Sequence, residues 1–222
     1  MADFEKIQIE LVHALLTVNV KDAEKILLDV SADFSMIEIA DNLLAPVFES
    51  IGTGWEEGAF TLAQIYMSGR ICEQLVDKIL KPSAPARKNQ PKMAMAVIED
   101  YHYLGKKLIL SVLKLAGFEA LDYGHGLSTT EVIDRALEDE IEILLLSSLT
   151  LPSALLISNM TKLLKLSNPA IKVIVGGTPF NFDKELWKEV GADAMGRNAS
   201  DAIGIVQRIA GGELKAVYDR RK

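Results

Sequence analysis

Apolar residues in the first 80 positions recur at intervals of three and four: Ile7, Leu11, Ala14, Leu15 and Val18, then Ala23, Ile26, Leu27 and Val30. That period predicts helices with one buried stripe, and two further segments of the same kind run over 35–51 and 62–80. Four amphipathic helices with short connections pack most economically as a small bundle, giving an expected first domain over 1–80. Between the third and fourth helices, Gly52-Thr53-Gly54-Trp55-Glu56-Glu57-Gly58 reads as a helix stop carrying an aromatic. The stretch 81–91 holds Pro82, Pro85 and Pro91 among polar residues, which cannot continue a helix and suits an extended linker.

Beyond that linker the pattern changes from helical to alternating. Short apolar runs predict strands over 93–98, 119–123, 142–147, 172–175 and 193–195, with helices over 103–116, 129–139, 153–166, 182–190 and 199–210. Runs such as Ile143-Leu144-Leu145-Leu146 suit strands buried on both faces, as in a parallel sheet covered by helices. The expected fold is therefore α/β: an N-terminal four-helix bundle followed by a doubly wound, Rossmann-like (flavodoxin-like) domain of five parallel strands over 92–213, with a tail over 214–222. In the order 2-1-3-4-5, a ligand binds beyond the carboxyl ends of the strands, beside the switch point between strands 1 and 3.

That rule selects three turns: Asp100 to Gly105 after strand 1, Ser147 to Ser153 after strand 3, and Gly176-Gly177-Thr178-Pro179 after strand 4. Small residues at Gly105, Ser147, Gly176 and Gly177 let a flat, bulky group approach the backbone. No G-x-G-x-x-G or G-x-x-x-x-G-K-[ST] follows the first strand, so a phosphate-cradling loop is not indicated. His102 stands where such a loop would need glycine. An imidazole there, with Asp100 two residues before it, fits a metal ligand oriented by a carboxylate. On these residues alone, an Asp and a His satisfying turn backbone explain the pattern more simply.

Composition narrows the partners. A net charge of −7 with a pI near 5.1 argues against a broad nucleic-acid or anionic-membrane surface. A single Cys72 excludes an intramolecular disulfide framework and places the chain in a reducing compartment. The N-terminus shows no basic stretch before an apolar core, and no apolar run approaches about 18 residues, so a cytoplasmic location without membrane association is expected.

The pattern D-x-H-x-x-G, followed by 41 residues (106–146), then S-x-L, then 26 residues (150–175), then G-G closely resembles the cobalamin-binding module of methionine synthase and of the corrinoid proteins of methyltransferase systems. The likeness extends upstream, where Gly54-x-x-Glu57-Gly58 and Leu62-x-Gln64 are similar to the helical cap preceding that module. The resemblance implies a bound corrinoid, with methylcobalamin as the carrier state and His102 as lower axial ligand to cobalt. Asp100 and Ser153 would complete a ligand triad with His102. Gly105, Ser147, Leu149, Gly176 and Gly177 would line the slot for the nucleotide tail, and Leu62, Gln64, Ile65 and Tyr66, with Phe60, would face the upper side of the corrin. Thr61-Leu62-Ala63 departs from the aromatic-Leu-Pro usual in the family, Tyr66 from a smaller aliphatic, and Met195 from an aromatic that flanks the tail.

The implied function is a non-catalytic corrinoid subunit, carrying a methyl group between a substrate-specific methyltransferase and an acceptor methyltransferase, with a reductive activase as a third partner. A cobalamin-dependent light or redox sensor and a corrinoid storage or delivery protein share the same two domains. A receiver-like signalling domain shares the βα pattern, but Glu99-Asp100 supplies part of its acidic cluster only. His13 and His125 read as ordinary helix and loop residues, with His125 away from the switch point, while Met67, Cys72 and Trp187 read as packing.

Overall fold

In a computed structural model, residues 4–79 and 90–211 are described, and they fall into two compact units divided at Pro82/Ser83. Most of the expected linker and the whole expected tail lie outside the described residues.

The first unit is helical. Its elements are α1 (Phe4–Leu16), α2 (Val20–Asp33), α3 (Met36–Ile39), a π-turn (Ala40–Leu44), α4 (Ala45–Glu56) and α5 (Leu62–Ile79). The third periodic segment is thus one long helix with a widened turn at its middle. Pro46 explains the widening: it cannot donate to the carbonyl of Asn42, and its ring would crowd that carbonyl. Ala45 N–H accordingly reaches back five residues to Ala40, and the Asn42 carbonyl instead accepts from the Gln8 side chain of α1 at 2.7 Å. The helix then runs through Gly52 and Gly54, so the stop falls at Glu57-Gly58, later than the glycine pattern predicted. Leu11, Leu15, Leu27, Ile39, Leu43, Val47, Ile71 and Leu75 form the buried stripes.

The second unit holds β1 (Met93–Ile98), α6 (Leu104–Leu115), β2 (Leu121–Leu127), α7 (Thr129–Glu138), β3 (Ile143–Ser147), α8 (Leu151–Ser167), β4 (Lys172–Gly176), α9 (Thr178–Phe182), α10 (Leu186–Glu189), β5 (Ala194–Gly196) and α11 (Ala199–Ala210). All strand pairs are parallel, in the order β2-β1-β3-β4-β5. Ala94, Ala96, Leu144, Leu146, Val173 and Val175 share one core with Val132 and Ala136 of α7 and with Ala154, Ile157 and Met160 of α8. Alternation sends Met95, Val97, Leu145 and Ile174 to the opposite face.

Two elements differ from expectation. The segment 182–190 is not one helix. Asp183 is extended, and its carboxylate accepts from Glu185 N–H at 2.9 Å, separating α9 from α10. β2 runs four residues further than predicted, because two bulges at its glycines keep it paired to β1: Met95 faces Asp122, Ala96 faces Gly124, and Ile98 faces Leu127.

Candidate functional site

The carboxyl ends of β1, β3 and β4 lie side by side, and the expected turns open there. β1 ends at Ile98, and the chain turns through Glu99, whose φ of 42° puts it in the left-handed region. Asp100 follows, 4% exposed. Its Oδ1 accepts from the backbone N–H of His102 at 3.0 Å and lies 2.9 Å from the ring Nδ1 of His102. Its Oδ2 accepts from the N–H of Leu149, on the turn after β3, at 3.0 Å. Burial pushes the Asp100 carboxyl up, but the hydrogen bonds from His102 and Leu149 outweigh it and hold the group at about 2. A carboxylate is therefore fixed behind an imidazole whose side chain is 55% exposed.

Ser153 goes elsewhere. Its hydroxyl donates to the Ile98 carbonyl at 2.8 Å and sits 3.3 Å from the hydroxyl of Ser148. It thus ties the start of α8 to the end of β1, behind Asp100, with no hydrogen bond to the carboxylate. Thr150 caps α8 by accepting from Ser153 N–H at 3.4 Å.

The small residues form a continuous row across the neighbouring strand ends. A Cβ on Gly105 would lie 3.2 Å from the Ser147 hydroxyl, and one on Gly176 would lie 2.8 Å from the carbonyl of Gly196. Ser147 is in register with Gly176, and Gly176 with Gly196. Gly177, at φ 110°, packs directly on the Ser148 backbone, where any Cβ would collide with the carbonyl. Leu149 is exposed beside this row, and Met195 is buried in β5.

Of the expected upper-face residues, the side chain of Leu62 is outside the description. Gln64 closes a capping box at the start of α5: its Oε1 accepts from Thr61 N–H at 3.0 Å while Thr61 Oγ1 accepts from Gln64 N–H at 3.3 Å. Its Nε2 also donates to the Leu16 carbonyl at 3.4 Å. Phe60 packs its ring on Gly54 of α4. Ile65 is half-buried and Tyr66 is 63% exposed.

Sequence reasoning missed the tip of β2. His125 does not follow the second strand but belongs to it, on the edge of the sheet away from the β1/β3 switch point, where it stacks on Tyr103 with ring centroids 4.5 Å apart at 20° and meets Tyr101 edge-on at 6.2 Å. The signal was there in Gly124-His125-Gly126, since glycines inside a strand pattern mark bulges. Also missed was Lys106, buried in the first turn of α6 and paired with the carboxylate of Asp122 on β2. Tyr103, Lys106, Asp122, Gly124 and His125 line an open cleft of about 460 Å³. Among the described residues, no group of three or more His, Cys, Asp or Glu could hold a bare metal ion, and no helix is long and apolar enough to cross a membrane.

Residues 92–205 match the family model described as "B12 binding domain", and residues 8–80 match a second model with the same description. Dimethylamine corrinoid protein 2 of Methanosarcina acetivorans is 30% identical over 173 residues, covering 75% of this chain and 78% of its own. The monomethylamine corrinoid protein of Methanosarcina barkeri superposes with a TM-score of 0.79 at 22% identity, covering 93% of this chain and 100% of its own. A chain of the methanol:cobalamin methyltransferase complex MtaBC of Methanosarcina barkeri gives a TM-score of 0.50 at 19% identity, covering 93% of this chain and 80% of its own. The last two likenesses are of fold.

Proposed function

We propose that this chain, which belongs to the family of B12-binding domains, is a corrinoid methyl carrier in which His102 supplies the lower axial ligand. The observation that carries this reading is the half-exposed imidazole of His102 held at Nδ1 by the buried Asp100 carboxylate, beside a row of residues without bulk.

The residues fit the group. A metal already held by a macrocycle needs a single protein base, and an imidazole with Nδ1 on a carboxylate presents Nε2 on the far side of the ring. Gly176 and Gly177 let the strand ends pack closely, since a Cβ on either would meet the carbonyl of Gly196 or Ser148, and with Gly105 and Ser147 they offer backbone and small side chains, not bulk, to a nucleotide tail. When bound, a corrinoid would supply a cobalt centre that accepts and gives up a methyl group, and His102 would be the protein base that holds it.

The chain's own contribution is to hold and tune that base. Asp100, ionised, accepts a hydrogen bond from the Nδ1–H of His102, which makes Nε2 a stronger donor. Ser153 acts at one remove, fixing the strand end from which Asp100 projects. In the helical unit, exposed Tyr66 is the aromatic candidate for the upper face, whereas Gln64 is engaged in starting α5. The relative named for dimethylamine supports a methyl donor of the methylamine class. A substrate-specific methyltransferase, an acceptor methyltransferase and a reductive activase are the corresponding partners. A reducing, cytoplasmic setting suits a chain with one buried cysteine.

The test is reconstitution of protein carrying 15N-labelled histidine with hydroxocobalamin, reduction to cobalt(II), and electron paramagnetic resonance read for the doublet of an axial 15N, since the cofactor's own base would give a 14N triplet. Splitting by one axial histidine nitrogen is expected in the native protein, with its loss but continued corrinoid retention in His102→Ala. Methylation of the bound corrinoid by a methylamine- or methanol-specific methyltransferase then establishes the carrier role. A native protein that retains corrinoid without splitting by an axial histidine nitrogen overturns the ligand assignment. Retention without methylation by any such enzyme, or photolysis that changes the oligomer, overturns the carrier role in favour of storage or sensing.

A further inference from the structure

We infer that the tip of β2, Gly124-His125-Gly126, is a positioning element that fixes the direction of the His102 ring through the two tyrosines flanking it; the inference rests on His102 being the axial ligand. The hydrogen bond between His102 Nδ1 and Asp100 Oδ1 sets how far the imidazole lies from the carboxylate, and the path of the backbone on either side of His102 sets the direction in which the ring leaves the chain.

That backbone is anchored on both sides, and each anchor lands on β2. Before His102, the carbonyl of Asp100 accepts from Gly126 N–H at 2.9 Å, and the N–H of Glu99 donates to the Leu127 carbonyl at 3.0 Å. The Tyr101 ring lies on Gly126 in the space a side chain would take, since a Cβ there would be 2.7 Å from the ring. After His102, the Tyr103 ring stacks on His125 at 4.5 Å. His125 also touches Tyr101 edge-on, so one imidazole bridges both neighbours of the ligand.

The bulges make this reach feasible. Between the pairs Ala96–Gly124 and Ile98–Leu127, β2 spends three residues where β1 spends two, and such an extra residue bends the strand and re-aims its side chains. Gly126 has φ 67°, a conformation that a side-chain-bearing residue adopts at a cost. A regular strand would not carry His125 to the same place. His125 is exposed, so replacing it leaves the core of the sheet intact.

The experiment compares the native protein, His125→Ala, His125→Phe and His102→Ala, each with thermal unfolding measured to confirm the fold. In protein free of corrinoid, the His102 ring resonances and the hydrogen exchange of the Gly126 amide report the loop directly. In cobalt(II)-loaded protein with the same histidine label, the splitting by an axial histidine nitrogen reports coordination. His125→Ala is expected to raise the fraction lacking that splitting roughly two- to tenfold, the range a stacked aromatic pair supplies, and to speed Gly126 exchange. His125→Phe, which keeps a ring for Tyr103, is expected to restore both. Should His125→Ala match the native protein in the splitting and in the corrinoid-free spectra, the positioning role is overturned. Should the native protein itself show no axial histidine nitrogen, the ligand assignment falls. The corrinoid-free spectra then decide the β2 role separately, with unchanged His102 resonances in His125→Ala overturning it.

Discussion

Asp100 and Leu149 lie 49 positions apart, yet the N–H of Leu149 donates to Asp100 Oδ2 at 3.0 Å, so the turn after β3 is fastened to the carboxylate that holds His102. Both oxygens of Asp100 are thereby committed, Oδ1 within its own turn and Oδ2 across to the neighbouring strand end. The site is a joint between two turns, and its acid–base behaviour follows from that.

Asp100 has a folded pKa of about 2 against an ordinary value of 3.8. Above 3.8 the group is ionised in both folded and unfolded chains, and its full stabilisation is present. As pH falls from 3.8 towards 2 the unfolded chain takes up a proton that the folded chain does not, and the stabilisation, on the order of 2 kcal/mol, is lost. Asp100→Asn should flatten this part of the pH–stability curve. It should also cost about 1–3 kcal/mol at neutral pH, because an amide NH₂ would face the N–H groups of His102 or Leu149. Urea unfolding from pH 2 to pH 7 measures both.

Ser153→Ala should destabilise the second unit by about 1–3 kcal/mol through the abandoned Ile98 carbonyl, a buried-hydroxyl effect. Because Ser153 makes no hydrogen bond to Asp100, the His102 ring resonances should barely move. A shift of those resonances as large as that of Asp100→Asn would mean that the hydroxyl acts directly on the ligand pair.

Two glycine-to-alanine changes should have opposite signs. Gly177→Ala places a Cβ against the Ser148 carbonyl at a φ of 110°, and should cost about 3 kcal/mol or more. Gly69→Ala, within α5 and with open space around it, should stabilise the helical unit by about 0.5–1 kcal/mol. Chemical denaturation of each variant checks the pair.

The Gln8–Asn42 hydrogen bond should be conditional on Pro46. Gln8→Ala in the native background should cost about 0.5–1.5 kcal/mol. In the Pro46→Ala background residue 46 regains an N–H for the Asn42 carbonyl, and the same change should cost close to nothing. A double-mutant cycle reads the difference as a coupling energy; strict additivity would remove the link between the π-turn and α1.

Much of the architecture could be read from periodicity. The strands of the Rossmann-like unit and the helix pattern of the first unit depend on local alternation, which is present in any single stretch. The departures came where a distant partner intervened, or, at one place, where a loop side chain bonded its own backbone. The length of β2 depended on bulged pairing with β1, the division between α9 and α10 on a side chain of the loop itself, and the widened turn before Pro46 on a carbonyl that α1 could satisfy.

The sequence by itself determined which residues stand at the carboxyl ends of the strands: Asp100, His102, Ser147 and Gly176-Gly177. That follows from strand endings, and strand endings are marked locally by where apolar runs stop. The tertiary structure decided which of these residues touch. It joined Asp100 to Leu149, sent Ser153 to the Ile98 carbonyl, and brought His125 across to Tyr103. Those pairings depend on strand order, register and bulges, which are set by contacts through space, and hydrogen bonds reach about 3 Å whatever the separation along the chain.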